Sequence, residues 1–152
     1  MTPDRTRPLI RIDRILPLVL AAGCASQPPA TTEARAVQSP AVDLAGTSWK
    51  LEDVGGTPAL ATVEATLEFP ETGKVSGRAS CNRFMGSVEI SGPSIKFGPL
   101  AATKMACIDD AANAQEVRYL DGLQKAERFA FDGPALLLYS TGMDRPLRFA
   151  RK

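Results

Sequence analysis

The sequence predicts a mainly β protein: a small antiparallel sheet, curled or closed into a barrel, with one inserted α-helix. Three observations carry this. Short apolar–polar alternations recur through residues 44–152, each bounded by Gly, Pro or Ser. A single segment breaks that rhythm with helical spacing. At 152 residues, 44% apolar and 23% charged, the chain has the size of one globular domain plus a tail.

The elements follow in order. "TSWKLEDV" alternates and stops at Gly55-Gly56, and "VEATLEF" puts Val63, Ala65, Leu67 and Phe69 on one face. "PETG" turns the chain into "KVSGRAS". "VEI" is closed by Ser91-Gly92-Pro93, and "IKF" by Gly98-Pro99. "DDAANAQEVRYLDGLQKAE" then places Val117, Leu120 and Leu123 on one side of a helix, with Tyr119 flanking them. Asp109 or Asp110 suits its N-cap, which explains them without an acid pair, and Lys125 and Arg128 suit its C-terminal end. Gly122 weakens this helix by up to about 1 kcal/mol relative to Ala. "RFAFDG", "PALLLYS" and "PLRFA" return to strands, turning at Asp132-Gly133 and near Gly142. Trp49 belongs to the core, since few aromatic residues exist to fill it.

Ahead of the domain, Arg5, Arg7, Arg11 and Arg14 precede a short apolar run from Ile15 to Ala22. That run is far below the roughly 20 apolar residues of a spanning helix and reads as an export signal over residues 1–23. Its end, "LAAGC", resembles the lipobox of bacterial lipoproteins, with Leu20 one place further from the cysteine than usual and Pro17 interrupting the run. The resemblance implies cleavage before Cys24 and lipid on its sulfur, a membrane anchor without a transmembrane helix. Ala25, where an aspartate would retain the protein at the inner membrane, points to the outer membrane, facing the periplasm. Residues 24–43, rich in Pro, Ala, Thr and Ser, read as a disordered tether. Loss of the leader takes four arginines and two aspartates from totals of 18 and 17, leaving 14 basic and 15 acidic groups. A neutral chain with scattered charge argues against nucleic-acid binding.

The chain has no histidine, which removes Ser-His-Asp and Cys-His catalysis and His-rich zinc sites. No GxSxG, GxxxxGK[ST] or GxGxxG occurs either. The expectation is a protein with no catalytic residues, no metal and no cofactor.

"GTSWKL", "LEF...TGKVSGRASCNRFMGS", "AATKMAC", the helix with Glu116 and Leu123, and "ALLLYS...LRFA" together resemble the META domain of the HslJ-type heat-inducible lipoproteins. The agreement runs over roughly residues 46–150, so the domain is read as 44–152. The motifs around Cys81 and Cys107 are its specific part, with Asn82, Arg83, Phe84, Gly86, Thr103 and Met105 as the family-motif residues. The resemblance implies a lipocalin-like barrel, no established activity, and an envelope or stress association. The expected protein is a non-enzymatic, monomeric, lipid-anchored envelope protein that binds or supports a periplasmic protein. The alternatives are a carrier holding a small apolar ligand in the barrel interior, or a thiol redox or soft-metal protein using Cys81 and Cys107.

With Cys24 assigned to lipid, Cys81 and Cys107 remain in a domain bound for an oxidising compartment, where a disulfide is expected. Two alternatives stay open. Free thiols could be activated by Arg83 or Lys104. A soft ion could be held by two thiolates near Met85 and Met105, although methionines beside a core strand are more often packing material. Asn82 and Gly86 also have a plain reading, as residues that tolerate left-handed backbone and tight bends.

Overall fold

The computed structural model describes residues 43–152. The signal segment 1–23, Cys24 and the tether 24–43, apart from Asp43, lie outside the described residues. Nine strands and one helix follow in the order β1 (Thr47–Val54), β2 (Thr66–Phe69), β3 (Lys74–Arg78), β4 (Arg83–Ser91), β5 (Ser94–Phe97), β6 (Ala101–Ala102), α1 (Asp110–Gln124), β7 (Ala126–Asp132), β8 (Ala135–Ser140) and β9 (Leu147–Arg151). All pairings are antiparallel. The order β3-β2-β1-β9-β8-β7-β5-β4, closed by β3 pairing with β4, makes an eight-stranded barrel. The barrel form of the sequence expectation is the one the chain adopts.

Closure rests on β4, which is longer than either neighbour. Its first half pairs with β3, as Phe84 with Gly77 and Lys74 with Ser87. Its second half pairs with β5, as Val88 with Phe97 and Ile90 with Ile95. The short β6 takes the edge that β5 leaves open, opposite Phe84 and Met85.

Alternation sends Trp49, Leu51, Leu67, Phe69, Val75, Phe84, Val88, Ile95, Leu136, Leu138, Leu147 and Phe149 into one core. Helix α1 closes the barrel from one side of that core. Asp109 caps it by accepting from the Ala111 N–H at 3.0 Å, as the sequence suggests. Its buried face is Ala112, Gln115, Glu116, Tyr119, Gly122 and Leu123. Tyr119 stands edge-on to Phe84 at 5.9 Å and tilted against Phe149 at 6.0 Å. Its hydroxyl donates to the Thr66 carbonyl at 2.9 Å, so the one polar atom it carries into the core is satisfied.

The helix is therefore rotated from the expected face. Leu123 is inward and Leu120 half-buried, but Val117 is 62% exposed. Turning Tyr119 inward buries more apolar area than Val117 offers, and Glu116 comes in with it because its carboxylate finds donors there. Arg128, expected at the helix end, lies in β7 with its guanidinium 3.7 Å over the Tyr139 ring. Val63 precedes β2 rather than forming part of it.

Candidate functional site

The candidate site is the junction where the β3–β4 hairpin, the 103–109 loop and the first turns of α1 meet. Cys81 and Cys107 are joined there by a disulfide, with Cα atoms 5.7 Å apart. Beside it stands Asn82, 4% exposed. Asn82 Oδ1 accepts from Thr103 Oγ1 and from the Met105 N–H, both at 2.7 Å. Its Nδ2 donates to the Met105 carbonyl at 2.9 Å and to Glu116 Oε1 at 2.6 Å. One amide thus uses both ends to hold the loop against the hairpin.

Glu116 completes the arrangement from the helix. Its Oε2 accepts from the backbone N–H groups of Cys81, at 3.0 Å, and Asn82, at 2.9 Å. A buried carboxylate is costly unless donors surround it, and here three converge on it. Next to it, Gln115 donates to Ser80 Oγ at 3.0 Å and accepts from the Leu60 N–H at 2.7 Å. No buried side-chain polar atom among the described residues lacks a partner.

The Cys81 and Cys107 sulfurs and a Glu116 oxygen lie within 4.8 Å of one another, a spacing that would suit a metal. The sulfurs are bonded to each other, however, and both Glu116 oxygens accept N–H donors, so the donor set is committed to the fold. Met85 and Met105 are 65% and 61% exposed, so neither is the packing residue expected. Met85 points outward between inward-facing Phe84 and the middle of β4, and Met105 sits in the loop with only its backbone clamped.

Two other expectations change in detail. Asn82 holds no left-handed backbone, and its part is played by its side chain. Gly86 is inside β4 rather than at a bend, and a Cβ there would come within 2.8 Å of Leu100 Cδ2 and 2.9 Å of the Pro99 carbonyl. Gln115 and Ser80 were not anticipated. The spacing of Ala112, Glu116, Tyr119 and Leu123, four then three then four residues, was the signal for the buried face.

Two surface clefts flank the junction and the far rim. One of about 370 Å³ runs along the outside of β2, β3 and β4, lined by Glu68, Ser76, Arg78, Arg83, Met85 and Lys152 among others. Within it Lys152 Nζ bonds Glu64 at 2.6 Å and holds that carboxyl below its ordinary value, with Arg78 and Lys50 adding to the effect. The other, of about 600 Å³, is floored by Phe69 and Val88 and walled by Ile90 and Ala45.

Fold and site together define a small disulfide-bonded antiparallel barrel plugged by one helix. The chain belongs to the META domain family, whose model matches residues 42–152. An NMR structure of a protein from Burkholderia xenovorans is similar with a TM-score of 0.58 and 28% identity, covering 72% of this chain and 83% of that one. A second NMR structure shares the fold at a TM-score of 0.59 and 24% identity, covering 70% and 90%. No curated protein sequence matches the chain.

Proposed function

We propose that the chain is a non-enzymatic lipoprotein of the bacterial envelope, anchored to the outer membrane through Cys24, whose META domain engages a periplasmic protein partner, in the stress-associated manner the HslJ-type resemblance implies. One observation carries the reading: the distinctive residues are used up in holding the fold. Asn82, Glu116, Cys81 and Cys107 bind one another, and Tyr119, Phe84 and Phe149 occupy the barrel interior. Interaction then falls to the exterior. The "LAAGC" junction supports the anchor.

Intact mass of membrane-extracted protein, alkylated with and without reduction, tests this. The expected species begins at Cys24, carries acyl mass, and takes two alkyl groups only after reduction. A chain without acyl mass removes the anchor, and alkylation without reduction removes the cross-link.

The cleft floored by Phe69 and Val88 favours a second reading, a carrier of a small apolar ligand on the rim. Organic extraction of purified protein that releases a stoichiometric lipid would establish it, and an empty extract would retire it.

A further inference from the structure

Arg83, in the "SGRASCNRFMGS" stretch, has a side chain that the described residues leave unpaired. Asn82 clamps the loop, Phe84 fills the core, and Gly86 makes room for Leu100. The Arg83 backbone bonds Thr103, but its guanidinium makes no hydrogen bond or ion pair with any described residue. Directly across the β3–β4 ladder stands Arg78, which also has no ion-pair partner among the described residues. Because Phe84 faces inward opposite Gly77, the adjacent pair Arg78 and Arg83 faces outward on one side of the sheet.

Like charges directly opposite one another destabilise a ladder, and no ion pair among the described residues offsets this one. Both residues line the 370 Å³ cleft, together with the hydroxyl of Ser76. The nearby cation Lys152 is already paired with Glu64, which leaves the two arginines as the cations of the cleft without an ion pair among the described residues. Glu68, opposite Ser76, is the remaining acid of the cleft.

We propose that Arg78 and Arg83 form a binding site for a phosphate group, borne by a soluble phosphate ester or by a phospholipid headgroup. Each guanidinium is a planar fork that takes two oxygens, so two opposed forks need an anion with more than two. A tetrahedral phosphate presents separate edges to both arginines, whereas a carboxylate fills one fork. The site does not depend on the anchor proposed above, so a chain that carries no lipid leaves its test intact.

The test uses the chain with Cys24→Ser, which removes the proposed lipidation site. Inorganic phosphate is titrated at constant ionic strength while the arginine Nε–Hε resonances are followed by NMR, with acetate as comparison. Saturable shifts of two resonances are expected, with the remaining arginine's shift needing more phosphate after Arg78→Gln or Arg83→Gln and both shifts weaker with acetate. Each substitution should weaken affinity about tenfold, the worth of one charge-assisted hydrogen-bond set. Glu68→Gln should tighten it, a change that a merely structural role for Glu68 would not produce. Equal shifts with phosphate and acetate, or affinity unchanged in both arginine variants, overturn the proposal. Co-sedimentation with phosphatidylglycerol vesicles, abolished by the same variants and competed by phosphate, assigns the headgroup. Arginine-dependent phosphate binding without vesicle binding assigns the soluble ester.

Discussion

Asn82 shows how much one short side chain can hold. It accepts two hydrogen bonds from the 103–105 segment and gives one back, and it gives a fourth to Glu116. Asn82→Asp keeps its shape and exchanges the Nδ2 donor for an anionic oxygen 2.6 Å from a second carboxylate. Both Nδ2 bonds are lost and two buried like charges are brought together. The variant should lose about 3 kcal/mol or more, read as a fall in the urea midpoint at unchanged slope. Equal stability would mean that the amide is incidental. Gly77 is tight for a different reason: a Cβ there would overlap the Thr66 carbonyl and come within 2.8 Å of Phe84 Cζ. The Phe84 ring lies where a side chain at Gly77 would be. Sequence pattern alone marks Cys81 and Asn82 as unusual, but it cannot reveal that Glu116, 34 residues on, supplies their acceptor. That pairing is a long-range consequence of the fold.

At the scale of elements, strands that are apolar along their length or bounded by turn residues are legible in the sequence. β5 and β9 alternate without a break, β8 is a short apolar run, and β1 stays recognisable although its register slips between Leu51 and Asp53. Only "VEI" of β4 stands out in the sequence, because Gly86 and exposed Met85 obscure its beginning. β6, two alanines long, has no period to detect. The helix lies where its sequence predicts but is turned about its axis, since its apolar count favours the Val117 side while tertiary contacts reward Tyr119. Tyr119 is the plug, and burial with no charge partner, reinforced by Glu68, pushes its phenol well above the ordinary value. The sign follows directly. Folded Tyr119 keeps its proton where the unfolded chain, titrating near 10, loses it. The stabilisation is therefore complete below pH 10 and is lost as pH rises above it, by up to about 1.4 kcal/mol per pH unit. Tyr119→Phe should flatten alkaline denaturation above pH 10. At pH 7 it should cost about 1–2 kcal/mol, since the Thr66 carbonyl loses its donor. An unchanged alkaline limb would place the titration elsewhere.

Across the whole molecule, two devices hold the same junction, and they act on different states. The Asn82–Glu116 network exists only in the folded chain, where it fixes the 103–109 loop and α1 to the hairpin. The Cys81–Cys107 bond, spanning 26 residues, acts mainly on the unfolded chain by removing loop entropy, worth about 3.5 kcal/mol. That is a large share of a stability that is typically about 5–15 kcal/mol. Because the network keeps the loop in place without the sulfurs, the reduced domain should remain folded and simply unfold more readily. Replacing both cysteines with alanine should lower the unfolding free energy by about 3.5 kcal/mol while the native amide spectrum persists outside residues near 81 and 107. The denaturant slope should rise, because an uncross-linked chain exposes more surface on unfolding. Reduction of the wild-type chain should reproduce both effects. Collapse of the native spectrum on either treatment would show that the network depends on the cross-link. The reverse experiment separates the two devices: Asn82→Asp in the disulfide-intact chain should shift the midpoint and leave the slope alone, since it alters the native state only. A slope change there would move part of the network's contribution into the unfolded ensemble.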